Sequence, residues 1–354
     1  MIAAMVALGW RVTAVAPDIA DADAKALLAL GAEVISIPLA RSGMNPLSDL
    51  AYRADLVRLF RALKPDALLA YTAKPVIWGT LAARAAGVPR VVVMITGLGF
   101  AFTDGAGSSM RRGIARVAAS LLYRRALARA DRVLFQNPDD RHLFLRKHLL
   151  DDRGRIGLTD GSGIDLDHFT FSPPPTAPVF LMVARLLGDK GVREYAAAAQ
   201  ALKARCPAAR FQLAGWIDPG PDSVSLNELD GWTRGGLEFL GRLDDVRPAI
   251  AAASVFVLPS WREGTPRSVL EALAMGRAVV TTDAPGCRET VIEGENGFLV
   301  PTRSPAALEA AMERFIRDPT LAPRMGQASL ELARRRYDVH RVNAQILAAV
   351  QPEI

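Results

Sequence analysis

The stretch Val179-Phe-Leu-Met-Val-Ala-Arg185-Leu-Leu-Gly188-Asp-Lys190-Gly191 runs from an unbroken apolar segment into a polar, glycine-bearing loop. Residues from Gly191 to Arg205 then read as a helix. Strand, tight loop and helix in that order form half of a βαβ unit. The strand Val179–Ala184 carries no polar side chain, as in a parallel sheet covered on both faces.

The alternation continues in both directions. Downstream, strands are expected at Arg210–Ala214, Leu237–Leu240, Val255–Leu258, Ala278–Thr282 and Gly297–Val300, with helices at Asp245–Ala252, Ser268–Met275, Cys287–Ile292 and Ser304–Arg317. Upstream, strands are expected at Arg11–Ala16, Glu33–Ile37, Ala67–Tyr71, Arg90–Ile95 and Arg132–Gln136, with helices at Asp21–Leu30, Leu47–Leu63, Pro75–Ala86 and Ser109–Ala130. Between the halves, Phe171-Ser-Pro-Pro-Pro-Thr-Ala-Pro178 continues neither a helix nor a central strand, so it reads as a linker. The expected organisation is α/β: a Rossmann-like domain over 1–172, a second over 173–336, and a helix over 337–354 packing back on the first. Ligands of such sheets gather outside the carboxyl ends of the strands, so strand-to-helix loops carry the function.

Composition agrees with two domains, because 354 residues at about 150 per domain make two. Half the residues are apolar and 23% are charged, which excludes global disorder. Two cysteines, Cys206 and Cys287, exclude a disulfide scaffold. Four scattered histidines leave little scope for a metal cluster. No segment has the roughly 18 apolar residues needed to span a bilayer. The amino terminus lacks the basic region of a signal peptide, so a cytoplasmic enzyme is expected.

Two loops stand out. Arg185 and Lys190 flank Gly188 in the first, where two cations can hold a diphosphate; a pair of solvated surface cations is the plain alternative. The second, Leu258-Pro-Ser-Trp-Arg-Glu263-Gly-Thr-Pro-Arg-Ser-Val-Leu-Glu271, ends a strand and opens a helix near Pro266 to Ser268, whose first N–H groups favour an anion. Glu271 lies about one turn into that helix; a solvated carboxylate on a surface loop is the alternative.

Together these loops resemble the family 4 retaining glycosyltransferases, which have the two-domain GT-B fold with two Rossmann-like domains facing a cleft. The resembling features are Arg-x4-Lys after the first strand of the second half, Glu-Gly-x-Pro, and Glu-x7-Glu at Glu263 and Glu271. Gly161-Ser-Gly163-Ile-Asp165 with Phe169, Phe239-Leu-Gly241, and Gly286, Glu289, Glu293, Asn296 and Gly297 stand in the family's order. In the first half, Leu39-Ala-Arg41-Ser-Gly43-Met-Asn45-Pro46, Thr72-Ala-Lys74-Pro75, Ile95-Thr-Gly97-Leu-Gly99-Phe100 and Phe135-Gln-Asn137-Pro-Asp139-Asp140 resemble the capsule and O-antigen branch. That branch adds N-acetylgalactosamine or related sugars to polyprenyl-diphosphate-linked saccharides.

The resemblance implies a nucleotide-sugar donor, UDP-linked in this branch, and a lipid-linked saccharide acceptor. It implies that Arg185 and Lys190 bind the diphosphate in place of a metal ion, so no metal or other cofactor is expected. Glu271 would accept the ribose hydroxyls and Glu263 would face the donor sugar. Gly264, Thr265, Pro266 and Arg267 would line sugar and phosphates, and Arg242 and Leu243 would stand at the nucleobase loop. On the acceptor side, Lys74, Gly97 and Gly99 would face the cleft.

The formal charge of +6 is rich in Arg, and Arg111, Arg112, Arg116, Arg124, Arg125, Arg129 and Arg132 crowd one segment. Interleaved Ile114, Val117, Leu121, Leu122 and Leu127 make helix 110–130 amphipathic, with a basic face able to rest on anionic lipid; a core-facing helix with a solvated Arg face is the alternative. No aromatic platform accompanies the patch, so nucleic acid is not an expected partner.

Met1–Leu8 reads as the end of a helix capped by Gly9, whereas relatives of the resembling family open with a strand. A first domain lacking that strand is therefore expected, by roughly 15 to 20 residues, through a misplaced start or a real truncation. An inactive donor-binding remnant is the corresponding alternative function, and a sugar-nucleotide epimerase of the same fold is a third.

Overall fold

The computed structural model describes residues 1–39, 46–97, 110–152, 154–218, 220 and 222–351. The chain divides into two units, Met1–Thr159 with Asn343–Ile354, and Asp160–Val342.

In the first unit, β1 (Thr13–Ala16) and β2 (Glu33–Ser36) pair in parallel as a two-stranded sheet. A separate parallel sheet runs β3 (Ala67–Tyr71), β4 (Arg90–Ile95), β5 (Arg132–Phe135) and β6 (Ile156–Leu158). The first domain is expected to lack its opening strand; among the described residues the ladder breaks between β1 and β3, and no described strand pairs with either at that edge. Val91, Val93 and Ile95 on β4 and Val133 and Phe135 on β5 are buried. Phe144 closes this core edge-on to Tyr123 and Phe135, with ring centroids 5.5 and 5.2 Å apart.

Several elements were not anticipated. The helix Pro138–Arg146 starts where the Asn137 side chain accepts the Asp140 N–H at 2.8 Å and Pro138 occupies the first turn. The helix Leu226–Arg234 opens on a capping box between Ser225 and Glu228. Leu321–Leu332 forms a further helix, and β6 has three residues. The expected helix Pro75–Ala86 begins with a π-helical turn, Pro75–Gly79.

In the second unit, β7 (Val179–Val183), β8 (Arg210–Ala214), β9 (Leu237–Gly241), β10 (Val255–Leu258), β11 (Ala278–Thr282) and β12 (Gly297–Val300) are all parallel. Their order, β12–β11–β10–β7–β8–β9, is that of a doubly wound sheet. Strands β10 and β11 are buried at every residue, which is why their sequences read as apolar runs rather than alternations.

The proline-rich run expected to join the halves lies inside the second unit. It is held there by Arg277, whose Nη2 donates to the Ser172 carbonyl at 2.6 Å. The helix Val339–Val350 begins in the second unit, and its residues from Asn343 onward belong to the first, where the Arg90 guanidinium donates to the Ala349 carbonyl at 3.0 Å.

Candidate active site

In the second unit the strand order reverses between β7 and β10, so the loops after these two strands flank the switch point where an α/β sheet binds its ligand. Both loops singled out in the sequence lie there. The β7 loop ends at Gly191 with φ +72°, and a Cβ on that residue would sit 2.1 Å from the Pro259 carbonyl oxygen. Only glycine permits the turn and the close approach together, and this brings the β7 loop against the end of β10. The Trp261 N–H donating to the Asp189 carbonyl at 2.9 Å fastens the two loops.

The contact joins two of the expected residues directly. Lys190 Nζ lies 2.6 Å from Glu263 Oε1, and both side chains are largely buried. Ser260 Oγ donates to the same carboxylate oxygen at 2.8 Å. The Glu263 N–H in turn donates to the Pro285 carbonyl at 2.9 Å, which sets the loop. Arg185 pairs with Asp218 at 2.5 Å and is more exposed than Lys190. Asp189 feels both cations: burial pushes its carboxyl up, Lys190 and Arg185 pull it down, and Glu263 and Asp222 push it up.

The helix Arg267–Ala274 starts at Pro266, placing Gly264 and Thr265 in the turn before it. Arg267 Nε donates to Glu271 Oε1 at 3.2 Å. The Glu271 carboxyl is mostly buried, and burial raises its pKa above the ordinary value against the pull of Arg267 and His168. Arg242 stands at the end of β9 with its guanidinium 5.2 Å from the Trp216 ring centroid, while Leu243 is partly buried against the core.

Residues 177–318 match the family described as "Glycosyl transferases group 1", and residues 1–156 match "Glycosyl transferase 4-like domain". The chain belongs to the family 4 glycosyltransferases.

This glycosyltransferase is 29% identical over 306 residues to the N,N'-diacetylbacillosaminyl-diphospho-undecaprenol alpha-1,3-N-acetylgalactosaminyltransferase of Campylobacter jejuni, covering 82% of this chain and 78% of that one. It is 26% identical to the UDP-Gal:alpha-D-GlcNAc-diphosphoundecaprenol alpha-1,3-galactosyltransferase of Escherichia coli, covering 80% of this chain and 75% of that one. Among solved structures, sucrose-phosphate synthase from Thermosynechococcus elongatus superposes with a TM-score of 0.80 at 21% identity, covering 98% of this chain and 89% of that one. Anabaena Alr3699/HepE in complex with UDP-glucose superposes with a TM-score of 0.76 at 19% identity, covering 98% and 93%. The fold of the glycosyltransferase is GT-B.

In its first unit, Lys74 is largely buried and pairs with Asp49 at 2.8 Å. Gly97 follows β4, whereas Gly99 and the segment 40–45 lie outside the described residues. The helix Met110–Leu127 corrects the reading of its faces. Ala119, Tyr123, Ala126 and Leu127 are the buried side, whereas Val117 and Leu121, from the apolar set that makes the helix amphipathic, are each 61% exposed. Their spacing puts them on the same side as exposed Arg124 and Arg125. No described helix of the glycosyltransferase is long and apolar enough to cross a membrane.

Sequence reasoning missed Asp218, Trp216 and Ser260. Ser260 was legible, three residues before Glu263 at the end of a strand. Asp218 and Trp216 follow β8, a loop in which no motif had been recognised.

Proposed function

We propose that the glycosyltransferase moves a sugar, an N-acetylhexosamine in the closest reading, from a UDP-linked donor to a polyprenyl-diphosphate-linked saccharide in cell-surface polysaccharide synthesis. The observation that carries this is the meeting of Lys190 and Glu263 at the β7–β10 switch point, a cation for the donor diphosphate beside a carboxylate for the donor sugar. The names of two relatives, both transferases to diphosphoundecaprenol-linked sugars, support the acceptor class.

On this reading Arg185 and Lys190 bind the diphosphate and stabilise the charge that develops as the nucleoside diphosphate leaves, taking the place of a metal ion. Backbone N–H groups of Gly264, Thr265 and Arg267 meet phosphate and sugar oxygens where the helix Arg267–Ala274 begins, and Pro266 lines the same turn. Glu271 accepts the ribose hydroxyls, and Arg242 and Leu243 border the nucleobase. The sugar is transferred with retention: the acceptor hydroxyl enters on the face the phosphate leaves, and the leaving phosphate takes its proton. Lys74 and Gly97, with Gly99, serve the acceptor. The mixed face of Val117, Leu121, Arg124 and Arg125 suits the surface of an anionic membrane, where a lipid-bound acceptor resides, and makes the enzyme a peripheral protein.

The test is transfer from UDP-, GDP- and TDP-sugars to a polyprenyl-diphosphate saccharide, with the anomeric configuration of the product determined and chelator present in one arm. Transfer from a UDP-sugar with retention, undiminished by chelator, is the expected result. Epimerisation of the donor sugar without acceptor dependence favours the epimerase reading, and a protein that binds donor without turnover favours the remnant.

A further inference from the structure

Trp216 is the one exposed tryptophan of the five, at 44% exposure, and it sits at the carboxyl end of β8 inside the candidate site. Leaving a side chain of that size in water forfeits one of the larger burial gains a residue can make. Its backbone is held as firmly as a core residue. The Trp216 carbonyl accepts the Leu186 N–H at 2.9 Å, tying it to the loop that carries Arg185. The preceding Gly215 N–H donates to the Gly241 carbonyl at 2.8 Å, tying it to the loop that carries Arg242. Gly215 has φ +153°, and a Cβ there would lie 1.9 Å from the Ala184 carbonyl oxygen, so the three strand ends clasp with no room for another residue. The β8–β9 ladder shifts register at Leu213 and Ala214, which delivers Arg242 onto the tryptophan ring. A rigid, exposed indole with a guanidinium 5.2 Å from its centroid therefore stands between the cation of β7 and the end of β9. Two residues beyond it, Asp218 holds Arg185.

We propose that Trp216 is the stacking platform for the nucleobase of the donor, with Arg242 beside it as the second planar surface. The proposal rests on the donor-site reading above and adds a residue to it. An indole face and a guanidinium plane are the two protein surfaces on which a flat, polarisable base stacks most favourably. Strand ends lie about 4.8 Å apart, so the ring stands one strand over from Arg185, and the intervening ribose separates base from diphosphate.

The test titrates the full chain with UDP, uridine and inorganic pyrophosphate, by calorimetry and by tryptophan fluorescence. The wild type is compared with Trp216→Phe and Trp216→Ala. UDP is expected to quench the wild type, and the quench is expected to shrink in both variants. Trp216→Ala is expected to weaken UDP and uridine by about tenfold or more and pyrophosphate by none, while Trp216→Phe keeps most of the affinity. Donor KM should rise with kcat little changed. UDP binding equally well to wild type and Trp216→Ala overturns the proposal and leaves the donor site standing. Equal weakening of pyrophosphate and UDP overturns it in favour of a disturbed loop. A wild type that binds neither UDP nor pyrophosphate overturns the donor-site reading and this proposal together.

Discussion

Lys190 Nζ and Glu263 Oε1 lie 2.6 Å apart although their residues are 73 positions apart in the chain. On the donor-site reading, a bound donor exchanges this contact for phosphate on the Lys190 side and sugar hydroxyls on the Glu263 side. Lys190→Ala is expected to lower kcat about 10²- to 10³-fold, as removing a donor to a developing charge does. Glu263→Gln is expected to lower kcat while leaving donor KM equal or lower, because the lysine is released to the diphosphate. Steady-state kinetics on both variants checks the pair, and a Lys190→Ala enzyme with full kcat refutes the role.

Asp218 occupies Arg185 in the same way, at 2.5 Å, but on the exposed side of the site. An exposed pair contributes little to stability, so Asp218→Asn is expected to leave the thermal midpoint within about 1 °C. It should lower donor KM a few-fold, with the gain shrinking as salt is raised. A KM that rises in Asp218→Asn would show that the carboxylate positions Arg185 rather than competing for it.

Glu271 carries a pH prediction. Burial raises its carboxyl pKa, and the role proposed for it needs the ionised form to accept two hydroxyls. Donor KM should therefore climb on acidification, beginning above the pH at which an ordinary Glu would protonate, and Glu271→Gln should flatten the profile at a uniformly high KM. The same shift has the opposite sign for folding. A carboxyl raised in the folded state stabilises the fold below its unfolded value, and that contribution is lost as pH rises through the folded one. A KM profile identical in wild type and Glu271→Gln excludes the carboxylate from donor binding.

Arg277 is fully buried, its Nε and Nη1 have no hydrogen-bond partner among the described residues, and burial pulls its pKa down to about 10. Its one satisfied nitrogen holds Ser172. A buried charge so poorly compensated costs more than an apolar side chain of similar length. Arg277→Met is expected to be neutral or stabilising by up to about 2 kcal/mol, whereas Arg277→Ala, which opens a cavity, should lose about 2 kcal/mol or more. Denaturant melts of both variants decide the point; a large loss in Arg277→Met would mean that the free nitrogens are satisfied in solution.

Val117 and Leu121 test membrane contact. Replacing both by Asp removes apolar area from a face that is already exposed, so stability should hardly change. Co-sedimentation with vesicles rich in anionic lipid should fall about tenfold or more. Retention of vesicle binding by the double variant would place the contact elsewhere.

Much of the second unit was legible because its central strands are buried: Val255–Leu258 and Ala278–Thr282, buried at every residue, have the ends their sequences predict. The helix Pro138–Arg146 was legible too, in Asn137 and Pro138, but its cap motif went unread as a helix start. On the helix Met110–Leu127 the apolar spacing misled. Ala119, Ala126 and Tyr123 face the core, and the larger Val117 and Leu121 face water, because a close-packed wall selects side chains by fit rather than by hydrophobicity alone.

By itself the sequence determined the alternation of strands and helices, the two α/β halves and the loops that hold Arg185, Lys190, Glu263 and Glu271, since all of these are read from local periodicity and spacing. Tertiary structure alone decided the rest. The anchoring of the proline-rich run by Arg277, the partners of the four charged residues and the place of Trp216 depend on which strands become neighbours. Hydrogen bonds and ion pairs between distant segments leave no periodic trace in the chain, because they form only once the sheet has set its strand order.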